Sequence, residues 1–392
     1  MISKRIKRLP ASSTVRIADL AIELRRQGED VIDLSAGRAA EATAAPICDA
    51  AIAAMRAGHT HQGPARGIQP YLDAVTDKLE RDNGLNYDPS SEVIATLGCK
   101  NALTLALMTV LDPGDEVVIE DPCFVSYGPT IELAGGVPVV APLDPEAGYR
   151  WSAETLESKI TPKTRAILFC SPHNPLGVVH TRKDLEIIAD IAVRHNLIVL
   201  ADEIYEAVTW GGRKHLPIAS LPGMKERTIG MMGMTKSYSM GGWRLGYSYG
   251  PAELIDKMAM VQGHVMTCAS VINQHAGIVA LSKEMTDTLR QTTWKEWGAR
   301  CQFVAHSLNA MDLLKCEAPE GGFYVWLDIS ETGLGPTGFC QQLLKNYHVA
   351  TVPGDSFGQL GSNFVRVTCV KSQSDVALAI DRIAKFVTDM KG

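Results

Sequence analysis

Five polar residues in the middle of the chain have the types and spacing needed to hold a reactive cofactor. Asn174 lies in SPHNPLG, Asp202 and Tyr205 lie in LADEIYE, and Lys236 lies in GMTKSYSMGGWRLGY with Arg244 eight residues after it. An amide, a carboxylate, a phenol, a primary amine and a guanidinium, in this order, can hold a pyridoxal phosphate (PLP) ring at every corner. The set predicts PLP chemistry, in which the protein supplies orientation and electrostatics.

These residues lie where the strands of a sheet are predicted to end. From residue 92 onward, short apolar runs alternate with helical patterns, which is typical of an α/β fold with a mostly parallel sheet covered by helices. Ligands bind beyond the carboxyl ends of the strands in such sheets, and Gly98, Asn174, Asp202 and Lys236 each end or follow a predicted strand. The predicted strands are residues 92–98, 116–121, 137–143, 165–172, 197–203 and 228–236, the last ending at Lys236.

The pattern changes after about residue 285 and predicts a second, smaller α+β domain. The 392 residues are enough for a large and a small domain. The elements expected in the later part are a long helix over 283–313, an apolar strand at 321–329, a helix near 337–347, the segment 348–355, a strand at 364–370 and a final helix over 373–390.

Composition excludes several classes of protein. The net charge of −6 gives no electrostatic surface for nucleic acid, and no apolar run approaches the roughly 18 residues of a membrane span. The basic N-terminus lacks the apolar stretch of a signal peptide. Nine cysteines without a CxxC, and dispersed histidines, predict neither disulfides nor a metal site, and favour a reducing cytoplasm.

The motifs resemble those of the class I/II aminotransferases, which are fold type I PLP enzymes. The resemblance runs over nearly the whole chain, from GEDVIDLSAG (28–37) to the last helix. It implies a large PLP-binding domain at residues 41–285 and a small domain made of residues 1–40 and 286–392. It also implies an amino acid and a 2-oxo acid as substrates, and a homodimer with the active site at its interface.

The resemblance assigns catalytic roles to three residues. Lys236 would bind the cofactor covalently as a Schiff base and, once displaced by substrate, move a proton between the substrate Cα and the cofactor C4′. Asp202 would pair with the pyridine nitrogen and keep it protonated, because a carboxylate beside a cation favours the charged forms of both. Tyr205 and Asn174 would donate hydrogen bonds to the 3′-oxygen of the ring.

Further residues are implied for the phosphate, the ring and the substrate. Arg244 would bind the phosphate together with the backbone N–H groups at the start of the helix that follows Gly98, a position that suits an anion. An arginine in an apolar strand needs a charged partner, and Arg366 in GSNFVRVTC would bind the substrate carboxylate. The other residues expected in the site are Cys99 and Lys100 at the phosphate, Phe124 stacked on the ring, and Gly37 and Asn174 at the substrate.

Several positions depart from the family pattern. Gln62 stands where many relatives have a tyrosine that reaches the partner subunit's phosphate, and Gly233 stands where a serine is common. The usual GEPD is GRAA here, with Arg38 in second place, and NPTG is NPLG. These differences are explained either by drift or by a remodelled pocket, and Lys100 could supply compensating charge at the phosphate.

Substrate preference is predicted from a missing arginine. Dicarboxylate-specific relatives bring a second arginine about 30 residues after the lysine, whereas no arginine or lysine lies between Lys257 and Lys283. A substrate that is not strictly dicarboxylic is therefore favoured, although Lys100, Arg38 or His264 could be recruited for an acidic one.

Three alternatives stay open at this stage. A PLP-dependent lyase, decarboxylase or oxidative deaminase would use the same residues. GLGPTG (333–338) satisfies the GxGxxG pattern of a dinucleotide site, but a polar SET separates it from the preceding strand and Pro336 interrupts the turn. A transcription factor with an aminotransferase-like domain would need a DNA-binding domain for which the chain has no room before VIDLSAG.

Overall fold

The computed structural model describes residues 2–3, 6–7 and 13–390, so part of the predicted N-terminal segment of the small domain lies outside the described residues. The strands are β1 (Ile32–Asp33), β2 (Val93–Thr96), β3 (Glu116–Asp121), β4 (Val137–Pro142), β5 (Thr164–Cys170), β6 (Ile198–Asp202), β7 (Thr228–Gly233), β8 (Gly246–Tyr249), β9 (Lys315–Cys316), β10 (Tyr324–Asp328), β11 (Val349–Ala350), β12 (Val352–Pro353) and β13 (Phe364–Thr368). The helices are α1 (Ser13–Arg26), α2 (Ala45–Arg56), α3 (Gln69–Lys78), α4 (Cys99–Val110), α5 (Tyr127–Leu133), α6 (Ala153–Glu157), α7 (Arg182–Arg194), α8 (Ala252–Val265), α9 (Val271–Leu281), α10 (Lys283–Gln291), α11 (Thr293–Asn309), α12 (Pro336–Tyr347) and α13 (Gln373–Asp389).

The large sheet has seven strands in the order β2-β8-β7-β6-β5-β3-β4. Every pairing is parallel except the two made by β8. Alternate residues of its strands enter two separate hydrophobic cores, as Leu168 and Ile167 of β5 do. A parallel strand covered by helices on both faces reads as a continuous apolar run, which is why these strands could be predicted from sequence. The prediction of an α/β fold with a mostly parallel sheet is confirmed.

The prediction that the strand beginning at residue 228 ends at Lys236 is wrong. β7 ends at Gly233, and the chain then turns, so that Lys236 lies on a loop three residues beyond the strand. The turn is closed by a hydrogen bond from the Met234 amide to the Leu245 carbonyl, at 3.1 Å. β8 follows it as an antiparallel strand between β2 and β7, and the sequence prediction missed this strand.

The second unit is a four-stranded antiparallel sheet in the order β12-β13-β10-β9. β1 pairs in parallel with β11, which brings an early part of the chain beside this unit. The prediction of one continuous helix over 283–313 is wrong. Thr292 leaves the helical conformation and separates α10 from α11. The segment 348–355 contributes two short strands to two different sheets. The domain boundaries at residues 41 and 285 stay a prediction.

Among the described helices, none combines the length and the apolar character that crossing a bilayer requires.

Candidate active site

A cavity of about 350 Å³ lies beyond the carboxyl ends of the parallel strands. Its walls come from both sheets, from the start of α4 and from the loop before α2. Every residue predicted for the site lines it except Gly98, which precedes Cys99 at the start of α4. The lining residues are Gly37, Cys99, Lys100, Leu103, Phe124, Tyr127, Cys170, Asn174, Asp202, Ile204, Tyr205, Thr235, Lys236, Arg244, Tyr324 and Arg366.

Lys236 presents its amine to the cavity from the loop after β7. The Nζ atom donates a hydrogen bond of 2.9 Å to the carbonyl oxygen of Gly37. It also lies 5.9 Å and 5.7 Å from the ring centres of Tyr205 and Phe323, within the range of cation–π attraction. Gly37 has no room for a side chain, because a Cβ there would collide with the Tyr324 hydroxyl. The lysine amine is therefore held close to backbone and aromatic groups.

Asp202 ends β6 as a buried carboxylate. Tyr127 donates a hydrogen bond of 2.7 Å to its Oδ2, and the Cys99 thiol donates to its Oδ1 at 3.3 Å. Asp202 forms no ion pair with any lysine, arginine or histidine of the described chain. Burial raises the pKa of Asp202, and the hydrogen bonds from Tyr127 and Cys99 offset this only in part. A cationic group of a ligand in the cavity would therefore stabilise the ionised Asp202 carboxylate.

Arg366 is the corresponding buried cation on the opposite wall. It lies on β13, where its Nη1 donates to Oδ1 of Asn174 at 2.9 Å and its Nη2 donates to the Ser35 carbonyl at 2.7 Å. Its guanidinium carbon stands 4.2 Å from the ring centre of Tyr324 and 4.8 Å from that of Phe357. No carboxylate among the described residues forms an ion pair with it. A buried guanidinium without an acidic partner would be stabilised by an anionic group of a ligand.

Arg244 lies beside the N-terminus of α4. Its Nη2 donates to the Leu97 carbonyl at 3.2 Å, and its Nη1 donates to the Gly241 carbonyl at the same distance. Gly98 has φ of +88°, and a Cβ there would lie only 3.1 Å from Nη2 of Arg244. The glycine therefore lets the guanidinium approach the first amides of the helix, where an anion is favoured. Cys99 and Lys100 supply those amides.

The aromatic and polar residues predicted around the ring are also in the cavity. The Phe124 ring packs edge-on against Tyr127, with ring centres 5.6 Å apart, and Lys100 Nζ lies 5.4 Å from its centre. The Tyr205 hydroxyl lies 3.2 Å from the Tyr324 hydroxyl. Because Asn174 uses its carbonyl oxygen for Arg366, its amide group is left to donate to a ligand.

The positions that depart from the family pattern lie in different places. Gln62 and Arg38 are exposed and do not line this cavity, although Arg38 lines an adjoining one. Gly233 is buried, and a Cβ there would stand 3.2 Å from Ile204 and 3.4 Å from Cys99. A serine in its place would press on the segment that begins α4. The packing around Gly233 thus favours the smaller residue.

Sequence reasoning missed two tyrosines of the site. Tyr127 and Tyr324 lie in DPCFVSY (121–127) and in GGFYVWLDI (321–329), but nothing in the order of residues gives their partners. Tyr127 follows Phe124 by three residues, at the start of a short helix, and this spacing was the one available signal. Tyr324 contacts Arg366 only because β10 and β13 are neighbouring strands of one sheet.

Comparison with known proteins gives consistent matches. Residues 29–383 match the family described as aminotransferase class I and II. The chain is 38% identical over 391 residues to aromatic-amino-acid aminotransferase 2 of Thermococcus litoralis, covering 100% of this chain and 99% of the relative. It is 37% identical to an aspartate aminotransferase of Pyrococcus abyssi, covering 100% and 99% of the two chains. A solved Thermus thermophilus aspartate aminotransferase mutant superimposes with a TM-score of 0.93 at 34% identity, covering 98% and 99%.

Proposed function

Since the chain belongs to the class I and II aminotransferases, we propose that it transfers the amino group of an L-amino acid to a 2-oxo acid with PLP as cofactor and Lys236 as the reacting lysine. The names of its full-length relatives favour amino-group transfer over the lyase, decarboxylase and oxidative deaminase alternatives. A PLP enzyme, and not a nicotinamide oxidoreductase, is what the family implies.

One observation supports this function most strongly. Within the part of the chain that the structure describes, Asp202 is a buried carboxylate without a cationic partner and Arg366 is a buried guanidinium without an anionic one, and both line the same cavity as the Lys236 amine. These are the groups that a protonated ring nitrogen and a substrate carboxylate would complete. A third charged place, between Arg244 and the N-terminus of α4, suits a phosphate. The residues present therefore fit PLP, with Phe124, Asn174 and Tyr205 around its ring.

The proposed roles follow from these environments. When bound, PLP withdraws electrons from the Cα of an amino acid and carries the amino group between two substrates. Asp202 would hold a proton on the ring nitrogen, since its buried charge needs a cation. Arg366 would fix the substrate carboxylate and thereby the orientation of the bonds at Cα. The Nζ atom of Lys236 would take the proton from the substrate Cα and give it to the C4′ atom of the cofactor.

We propose that the amino donor is not restricted to dicarboxylic acids, with aromatic and other non-acidic amino acids accepted. The absence of lysine and arginine between Lys257 and Lys283 supports this choice. Acidic donors are the second candidate, because Lys100 lines the cavity and pairs with no carboxylate of the described chain. Burial, together with the charges of Arg244 and Lys236, lowers the pKa of Lys100. An acidic substrate group would relieve this repulsion.

We expect Lys100→Met to separate the two kinds of donor. If Lys100 binds the side-chain carboxylate of an acidic donor, kcat/KM for aspartate should fall about tenfold or more, the effect of losing a charge-assisted hydrogen bond, while the value for phenylalanine stays within about twofold. Steady-state kinetics with both donors measures this. Lys345→Met, on the exposed side of α12, is the matched control. An equal loss for both donors, with weaker PLP binding, would instead place Lys100 at the phosphate.

A half-reaction screen tests the reaction type. Enzyme with bound PLP is mixed in stoichiometric amount with single amino acids, without an oxo acid, and its absorbance spectrum is followed. A transaminase loses the visible band of the lysine-bound aldehyde cofactor as the amine form accumulates. Release of ammonia, carbon dioxide or peroxide with the visible band regenerated would establish a lyase, decarboxylase or oxidase instead.

The proposed assembly is a homodimer whose interface includes the segments around Gln62 and residues 262–275. Exposed apolar side chains at the end of α8 support this surface, with Met260, Val265 and Met266 exposed by 54%, 53% and 46%. A two-fold dimer is the commonest closed assembly. We expect light scattering to give twice the chain mass of 42.4 kDa.

Val265→Asp should shift this dimer towards monomer, because it would bury a carboxylate in an apolar interface. Val193→Asp is the matched control, since Val193 on α7 is 44% exposed and lies outside the proposed interface. A wild-type protein that is monomeric and active at the same concentration would contradict the proposal.

A cytoplasmic location and the absence of a nucleic-acid partner stay predictions. The first is supported by the nine cysteines, all of which are free thiols, as a reducing compartment maintains. The second is supported by the net charge of −6. Cell fractionation and a filter-binding assay at low salt would test them.

A further inference from the structure

The lysine amine has a defined position in the cavity, beside the four-stranded sheet that carries Tyr324. Gly37 supplies a carbonyl acceptor at 2.9 Å, and the rings of Tyr205 and Phe323 lie within 6 Å of Nζ. The hydroxyl of Tyr324 comes to the same point, since a Cβ built on Gly37 would meet both that hydroxyl and the lysine Nζ. The free amine therefore has a backbone acceptor, two aromatic rings and a phenol hydroxyl as its immediate surroundings.

Tyr324 connects this place with the substrate site. It is a buried residue of β10, 2% exposed, and its hydroxyl lies 3.2 Å from that of Tyr205. The face of its ring carries the Arg366 guanidinium at 4.2 Å. One side chain thus contacts the proposed proton carrier through its hydroxyl and the proposed carboxylate-binding residue through its ring.

We propose that Tyr324 is a further residue of the reaction: its hydroxyl holds the free ε-amine of Lys236 between proton transfers, and its ring orients Arg366 for the substrate carboxylate. This inference rests on the proposed function, because it concerns the stage at which substrate has displaced the lysine. The hydroxyl acts on Lys236 and the ring acts on Arg366. Tyr324→Phe removes only the hydroxyl and Tyr324→Leu removes both, so the two variants separate these roles.

The electrostatics of the pocket agree with this assignment. Burial alone would raise the pKa of Tyr324, but the positive charges of Lys236 and Arg366, with hydrogen bonds to Tyr205 and Lys236, hold it below its ordinary value. The lowered pKa reflects the two cations close to the Tyr324 oxygen, and this oxygen can accept a hydrogen bond from an ammonium group. Loss of the hydroxyl should therefore make protonated Lys236 less stable, and the amine should become neutral at lower pH.

The test compares Tyr324→Phe and Tyr324→Leu with wild type. Full-length protein freed of cofactor is mixed with PLP across a pH series, and the growth of visible absorbance gives the rate of covalent capture, which needs the neutral amine. Tyr324→Phe should move the midpoint of this profile down by about one pH unit, a shift that one hydrogen bond to a charged group can cause. In the enzyme with bound PLP, its kcat should fall about tenfold while KM for the amino acid changes little.

Tyr324→Leu also removes the ring, so KM for the amino acid should rise, by about fivefold, from loss of the cation–π contact with Arg366. Tyr347→Phe is the matched control, because the Tyr347 hydroxyl donates to Asp389 at the surface and Tyr347 does not line the cavity. Thermal melting of each variant verifies folding.

An unshifted capture profile in Tyr324→Phe, with wild type capturing PLP normally, overturns this inference alone. If wild type captures no PLP, the proposed function is overturned as well. A lowered kcat in Tyr324→Phe without a shifted midpoint also contradicts the inference, because a merely structural role would give that result.

Discussion

Replacing Lys236 by alanine is expected to abolish transamination, with kcat reduced by at least about 10⁴-fold. The substitution removes both the covalent attachment of PLP and the group that moves the proton at Cα. PLP should still bind, since Arg244, the N-terminus of α4 and Asp202 are unchanged. Steady-state kinetics and absorbance titration of the variant with PLP measure the two properties separately.

The matched control for this prediction is Lys345→Ala, which removes an exposed lysine of α12 and should keep full activity. Borohydride reduction of the wild-type protein with bound PLP, followed by peptide mapping, identifies the lysine directly. Labelling of a peptide that lacks Lys236 would overturn the assignment, and so would substantial activity in Lys236→Ala.

Asp202→Asn should lower kcat by about 10²–10³-fold, the usual loss for one preorganised electrostatic partner of the reacting group. An amide has the shape of the carboxylate but no charge, so it cannot keep the ring nitrogen of PLP protonated. Asparagine keeps one oxygen that can accept the hydrogen bond from Tyr127, which is 2.7 Å long in the wild type, and it gives up only the longer contact from the Cys99 thiol at 3.3 Å. The main loss is therefore the charge. Asp190→Asn, on the exposed side of α7, is the matched control.

Although Asp202→Asn should lower kcat, we expect it to make the cofactor-free protein more stable near neutral pH. The folded-state pKa of Asp202 is raised by burial, so the unfolded chain loses this proton first as pH rises. Asp202 therefore lowers the free energy of unfolding progressively above about pH 4, until the pH exceeds its folded-state pKa. Cofactor-free Asp202→Asn should melt at a higher temperature than wild type near neutral pH, and the difference should vanish in acid.

Bound PLP should reduce or reverse this difference in melting temperature, because the ring nitrogen gives the carboxylate of the wild type its missing cation. Melting curves with and without PLP, at two pH values, check the prediction. If the cofactor-free variant is less stable than wild type at neutral pH, Asp202 is already paired by groups of the protein and the fit to PLP loses its main support.

The strands of the large sheet could be predicted because burial on both faces leaves an apolar run with a clear end, as in β5 and β6. β8 could not, because GYSY is short, contains glycine and serine, and owes its place to antiparallel pairing with β2 and β7. The break at Thr292 was equally hidden, since helical patterns continue on both sides of it. Pairing between distant segments decides such details, and a local pattern does not contain it.

The polar residues of the site could be predicted because their types match one kind of chemistry in one order. Their partners could not: Cys99 was expected to contribute only an amide, yet its thiol contacts Asp202. Tyr324 has no signal of its own, because tyrosine in an apolar strand is ordinary core material. Its contacts with Tyr205 and Arg366 arise only when the two sheets face each other.

Arg244 has an unusual backbone that bears on how this site can change over evolutionary time. With φ of 52° and ψ of 53° it is in the left-handed region, which is unfavourable for most residues other than glycine and asparagine. Glycine there would relax the backbone but would remove the guanidinium beside α4. Selection for a more stable fold and selection for phosphate binding therefore act in opposite directions at this position. In a lineage released from selection for catalysis, Arg244 should be among the first residues of the site to drift, and its replacement would mark descendants that keep the fold after losing the cofactor.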